Sequence, residues 1–233
     1  MNKLDLLSFI YYHPYLGRED LFVFTNIKNL YSKLKELEEK KYINHLSYKG
    51  VAYYFIESLG FKILEIPGQF RKIDIEKRMF ILSHYLDTNK FFKTLKIYSD
   101  KNNIEFTDFI SDRFCSVKFL YLGKTFYINP DGFCIFNKES FYIEIDRSTE
   151  NSFKILEKID AYSSFYLSFE YLKYFKTFPT VLFVVPDLKR KLLLINRLER
   201  FINSNKYMDE LSFFKIITFS EFINDPILIN KGR

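Results

Sequence analysis

Apolar residues recur at three- and four-residue spacing along the first quarter of the chain. Leu4, Leu7, Ile10 and Tyr11 mark a helix over 4–13 that Pro14 ends. A second short helix fits 18–24. Thr25-Asn26 stands where it would cap a third, over 27–42, whose apolar stripe is Ile27, Leu30, Tyr31, Leu34 and Leu37. The period then falls to two. "YINHLSY" and "VAYYFIE" read as strands joined at Lys49-Gly50, and "ESLGFKILE" as a closing helix. Pro67-Gly68 reads as a boundary. Over 71–100, charges alternate with Ile75, Met79, Leu82, Tyr85 and Leu86, which predicts one or two connecting helices. His84 beside that face reads as structural, because no second His or Cys stands at ligand spacing.

From Val117 the pattern is that of strands, three or four of them, punctuated by Gly123, Pro130-Asp131-Gly132 and Asn137-Lys138. A long helix over about 150–174 follows, with the stripe Ile155, Ile159, Tyr162, Tyr166 and Phe169. "TVLFVVP" is a continuous apolar run, as in a strand buried on both faces. A basic helix, "LKRKLLLINRLERFIN", and a last strand, "FFKIITF", complete the chain. The predicted fold class is α+β, or mixed α/β. The predicted domains are 1–66, a helical connector over 67–112, and an α/β domain over 113–233.

Composition narrows the function classes. The 233 residues are enough for one large domain or two small ones. Aromatics reach 20% with no Trp, a bias that makes any single aromatic weak evidence. No apolar run approaches the roughly 20 residues of a membrane helix, and the start lacks a signal-peptide layout because Asp5 interrupts it. Cys115 and Cys134 have no zinc spacing and predict a reduced, cytoplasmic protein with buried thiols. The net charge of +6, mostly in the C-terminal half, fits a nucleic-acid partner without demanding one. There is no phosphate-binding Gly loop and no nucleophile elbow. The three histidines, His13, His45 and His84, are too scattered for the metal-binding cluster of a tyrosine relaxase.

Three helices, a hairpin and a packing helix within residues 1–66 resemble a winged helix. That resemblance implies a third helix entering the major groove, with Lys28, Asn29, Ser32 and Lys33 at base edges and Lys49 of the wing on phosphate. Glu36, Glu38 and Glu39 argue the other way, for a solvated face. On the basic helix, Lys189 and Arg190 lead a set with Lys191, Arg197 and Arg200 that would hold DNA or a partner. An ordinary exposed face over Leu193, Leu194 and Leu198 is the competing reading.

Asp131, Glu144 and Asp146 are the candidate chemistry. Strand side chains alternate, so Glu144 and Asp146 share a face, and Asp131 faces Glu144 across the hairpin. Such carboxylates suit magnesium or manganese, which would activate water at a phosphate. The strand–strand–strand–helix–strand order resembles the PD-(D/E)xK nuclease core, that is, a restriction-endonuclease-like domain. One departure is plain: Asp146 stands where that superfamily carries Lys. Lys154 and Lys158, one turn apart on the next helix, are the candidate substitutes, with Lys158 and Tyr162 nearer the core stripe. The bland alternative is a solvated strand end, with Arg147 neutralising Asp146.

A wider resemblance covers most of the chain. Pro130-Asp131-Gly132, then Glu144, Asp146, Arg147 and Thr149, then Lys158 and Tyr162, then Pro186, Asp187 and Arg190 resemble the replication-relaxation family of plasmid and mobile-element proteins. The resemblance implies DNA binding linked to replication or transfer. It leaves open whether the carboxylate site is active. Expected partners are double-stranded DNA, other replication or transfer proteins, or a second copy of the chain, with no membrane. The alternatives are a metal-dependent DNA endonuclease using Asp131, Glu144 and a helix lysine, and a winged-helix transcription regulator or assembly adaptor.

Overall fold

The computed structural model describes residues 1–66, 75–148, 151–204 and 212–230. Pro67-Gly68 and Thr149 lie outside them. The fold is mixed α and β, and the chain divides into two compact units, Met1–Ile97 and Tyr98–Arg233.

In the first unit, α1 (Lys3–Tyr12) starts at a reciprocal cap. Asp5 N–H donates to Asn2 Oδ1 at 2.9 Å, and Asn2 N–H to Asp5 Oδ2 at 2.8 Å. A two-residue strand β1 (Leu16–Gly17), α2 (Arg18–Thr25), α3 (Leu30–Glu39), the hairpin β2 (Ile43–Tyr48) and β3 (Val51–Ile56), and α4 (Ser58–Ile63) follow. The strands form one antiparallel sheet in the order β1-β3-β2. Leu6, Leu7 and Ile10 of α1 meet Leu21 of α2 and Leu30, Leu34 and Leu37 of α3 in one core. Each such side chain, fully buried, contributes about 1.5–3 kcal/mol.

The hairpin closes through Lys49 (φ 50) and Gly50 (φ 76) between paired Tyr48 and Val51. Positive φ at both positions is the geometry of a two-residue turn. At Gly60 a Cβ would lie 2.3 Å from the Tyr42 carbonyl oxygen, so only glycine lets α4 approach β2 this closely. His13 is buried, which lowers its pKa to about 3 and keeps it neutral.

Two expectations for this unit are corrected. Thr25-Asn26 does not cap α3. Asn26 adopts φ 48 and closes α2, its N–H donating to the Phe22 carbonyl at 2.8 Å, while the Thr25 hydroxyl turns back to Leu21 O at 2.6 Å. Lys28 and Asn29 therefore precede α3 rather than lie on it. Tyr31 does not belong to the buried stripe and is 63% exposed. At 100° per residue it stands well off the line through Leu30, Leu34 and Leu37.

The helix α5 (Ile75–Asn102) runs past the boundary between the units. In the first unit its Leu82 and Tyr85 pack with Tyr15 and Phe55, and Asn89 Nδ2 donates to the Tyr15 carbonyl at 3.0 Å.

The second unit holds β4 (Phe106–Ser111), a short α6 (Asp112–Cys115), the hairpin β5 (Val117–Tyr121) and β6 (Lys124–Ile128), and β7 (Gly132–Phe136) and β8 (Glu139–Ile145). Then come α7 (Ser152–Leu167), β9 (Thr180–Val185), α8 (Leu188–Ser204), β10 (Phe214–Thr218) and α9 (Phe219–Asn224). The main sheet has the order β10-β9-β8-β7-β4, parallel from β10 to β8 and antiparallel beyond. β9 is buried at every position, as its apolar run predicts. α7 lays Ile155, Ile159, Tyr162 and Phe165 into the core with Phe119 and Ile128 of the hairpin. Cys115 and Cys134 are buried and unbonded to one another.

β4 was not legible as a strand. It is an edge strand whose pairing with β7 slips between Thr107 and Ile110, and such an irregularity blurs the two-residue period. The long helix also ends early. Phe169, expected in the core stripe, has φ 57, lies beyond α7 and is 63% exposed.

Candidate functional site

Glu144 is the penultimate residue of β8, paired in register with Phe183 of β9. Five successive residues of this strand end, Phe141 to Ile145, are buried, so the carboxylate is enclosed at 2% exposure. A charge there needs partners, and α7 supplies two. Asn151 caps this helix by accepting Lys154 N–H at 3.0 Å, which fixes where its first turns begin. One turn apart on the same face, Lys158 Nζ donates to Glu144 Oε2 at 2.8 Å and Tyr162 OH to Oε1 at 2.6 Å. Burial pushes the Glu144 carboxyl up to about 7. Lys158 opposes that rise and the charge of Asp131 adds to it. Burial, followed by the Glu144 charge, drives the Tyr162 phenol well above its ordinary range.

Asp131 precedes β7 and is fixed against β8. Its N–H donates to Ile143 O at 2.8 Å, and its Oδ2 accepts Ile145 N–H at 2.6 Å. These bonds grip the two residues flanking Glu144 and bring the two carboxylates within electrostatic reach. Beside them opens a cleft of about 240 Å³, lined by Tyr127, Asn129, Glu144, Lys154, Lys158 and Tyr162 among others.

Asp146 belongs to a different set. Its N–H pairs with Val184 O at 2.9 Å. Its carboxylate takes Arg190 Nε at 2.5 Å, Arg190 Nη2 at 3.2 Å and Ser148 N–H at 2.8 Å. Arg190 neutralises it. The reason lies in α8. Asp187, just past β9, accepts Arg190 N–H at 2.8 Å and caps that helix, which delivers the guanidinium to Asp146. Arg190 is accordingly committed to a fork-like ion pair, whereas Lys189 beside it is exposed. Lys191 pairs with Glu221 at 2.8 Å. The Nη1 of Arg197 is buried without a hydrogen-bond partner among the described residues.

Among the described residues, no three His, Cys, Asp or Glu side chains gather to hold one metal ion. Both Glu144 oxygens, one Asp131 oxygen and both Asp146 oxygens already accept hydrogen bonds. In this arrangement Glu144 gives one oxygen to Lys158 and the other to Tyr162, so an ion on it would share the carboxylate with the Lys158 ammonium.

In the first unit, Lys28, Asn29 and Ser32 are exposed at the start of α3, and Asn29 has φ 62. Lys33 is half-buried and donates to the Met1 carbonyl at 2.9 Å. Lys49 is exposed at the hairpin tip, 5.3 Å from the Tyr48 ring centroid. The acids of α3 are tied into pairs, Glu36 with Lys3 and Lys40, and Glu38 with His45. Two residues of this surface escaped the sequence reading, Tyr31 and the Arg18 guanidinium that lies over its ring. The angular offset of Tyr31 from the leucine stripe was the signal that could have found it.

A family model described as replication-relaxation matches residues 7–181. The match takes in Asp131, Glu144, Asp146, Lys158 and Tyr162 and stops ahead of Pro186, Asp187 and Arg190. No curated protein and no solved structure matches the chain. No helix among the described residues is long and apolar enough to cross a membrane.

Proposed function

Because the chain belongs to the replication-relaxation family, which points to a role in replication or transfer of a plasmid or other mobile element, we propose that it is a duplex-DNA-binding protein of such an element. The first unit is its winged helix, and the second a nuclease-like domain that does not cut. The observation that carries the binding half is the surface of the first unit. Three helices precede a hairpin, the polar start of α3 is exposed at Lys28, Asn29 and Ser32, and a lysine tops the hairpin at Lys49. In that architecture the third helix meets base edges and the wing meets phosphate. The second unit supports the non-cutting half. Its strands β7 and β8, then α7 and β9, with α6 and the β5–β6 hairpin set between β4 and β7, support the nuclease-like reading, but Glu144 is closed by Lys158 and Tyr162, and Asp146 by Arg190.

The test is a salt titration of duplex affinity with the full chain. Replacing Lys28 and Lys49 by Ala should weaken binding and lower the log–log salt slope by about 0.9 for each phosphate that is no longer neutralised. An unchanged slope would remove both from the interface.

A second reading, a magnesium- or manganese-dependent endonuclease, is favoured by one observation. The charge of Asp131 reaches Glu144, and the helix lysine Lys158 touches it. On that reading Asp131 and Glu144 hold the ion and Lys158 steadies the phosphate. It requires cleavage by the wild type that Glu144→Gln abolishes.

A further inference from the structure

We infer that Tyr31 and Arg18 form a subsite that reads a thymine methyl group in duplex DNA. The inference rests on the first unit being the DNA-binding element and names what that element reads.

The Tyr31 ring is 63% exposed one residue into α3, where the leucine stripe leaves it outside the core. It is not an unconstrained surface side chain, because the Arg18 guanidinium lies 5.9 Å from its centroid, reaching across from α2. Phe22, one turn along α2, is 51% exposed. With Val23, Lys28 and Asn29, these residues line a cleft of about 490 Å³. Among the described residues, Glu19 is the one acid on the same lining; it lies 3.9 Å from Lys93, whose closer partner is Asp20 at 2.7 Å.

The cleft therefore offers an apolar, aromatic floor flanked by cations. In the major groove, the apolar group that a base pair presents is the C5-methyl of thymine; the other groups at the base edges are hydrogen-bond donors and acceptors. Arg18 and Lys28 complement the adjoining phosphates. Lys28 and Asn29 already stand in the proposed interface, so Tyr31 meets the same stretch of groove without further rearrangement.

The experiment uses the full chain and a labelled duplex that it enriches from a random-sequence pool. Uracil replaces each thymine in turn, removing one methyl and nothing else. At one position affinity should fall about fourfold, the value of one buried methyl group. That loss should persist in Tyr31→Phe and vanish in Tyr31→Ala. Tyr31→Ala should weaken binding at an unchanged salt slope, whereas Lys28→Ala lowers the slope by about 0.9. The chain has no Trp, so Tyr31→Trp gives a single tryptophan, excited selectively over the tyrosines, whose emission should change as the duplex binds. Uracil substitutions that are all neutral, or a loss that survives in Tyr31→Ala, would overturn the subsite while leaving DNA binding intact. A wild type that enriches and binds no duplex would overturn the DNA-binding reading itself, and the subsite with it.

Discussion

Lys158 on α7 donates to the Glu144 carboxylate on β8 at 2.8 Å, from 14 residues further along the chain. Its side chain is 28% exposed and that of Glu144 only 2%, so the pair is half open to the cleft. Removing one member of a buried pair strands the other charge at about 3–5 kcal/mol. For Lys158→Met we expect about 3 kcal/mol in urea denaturation above pH 7, where Glu144 is charged in the wild type, because the lysine keeps part of its water. Tyr162→Phe removes only the hydroxyl donor to Oε1 and should cost about 1–3 kcal/mol. A Lys158→Met variant as stable as wild type would show that the pair contributes nothing to the fold.

The same carboxyl sets a pH dependence. Its pKa rises from 4.5 to about 7 on folding, through burial first. A raised folded pKa means that the folded state holds the proton more tightly. Its contribution is complete below about 4.5 and is lost as pH climbs to about 7. Wild type should therefore lose stability relative to Glu144→Gln across that window, measured as the difference in thermal midpoints. Parallel midpoints from acid to neutral pH would contradict the shift.

Arg190 and Asp146 make the second buried ion pair, with side chains 13% and 4% exposed. Arg190→Ala should cost about 3–5 kcal/mol by leaving the carboxylate unpaired. Arg190→Lys should recover only part, because an ammonium cannot present two parallel donors. If the arginine instead served DNA alone, both variants would melt like wild type and lose duplex affinity.

Gly60→Ala tests the close approach of α4 to the Tyr42 carbonyl. The added methyl would sit 2.3 Å from that oxygen and 2.6 Å from Ile56 Cγ1. Backbone must move, and a cost of about 1–3 kcal/mol is expected in the same denaturation assay.

Periodicity read most of the fold, for physical reasons. The leucines of α3, the two-residue turn at Lys49-Gly50 and the fully buried β9 each carry a local signal strong enough to survive packing. What escaped depended on tertiary partners. β4 is a slipped edge strand, and Asn26 and Phe169 end helices by adopting positive φ without glycine. The site was legible in part. Asp131, Glu144, Lys158 and Tyr162 do come together, because the hairpin and the i, i+4 spacing on α7 require only short-range order. Asp146 did not join them. Its partner, Arg190, lies 44 residues away and is aimed by a cap on Asp187. Local alternation places Asp146 on the face of Glu144 but carries no trace of that long-range claim on its carboxylate.

The central claim, a protein that holds duplex DNA without cutting it, is tested most directly by incubating supercoiled plasmid with the full chain, with magnesium or manganese and with neither. Retarded plasmid is expected in a native gel. Once the protein is stripped off, the same DNA should be fully supercoiled under every condition, identically for wild type and Glu144→Gln. Nicked or linear plasmid formed by wild type with either ion, and absent with Glu144→Gln, would contradict it and establish an endonuclease that depends on Glu144.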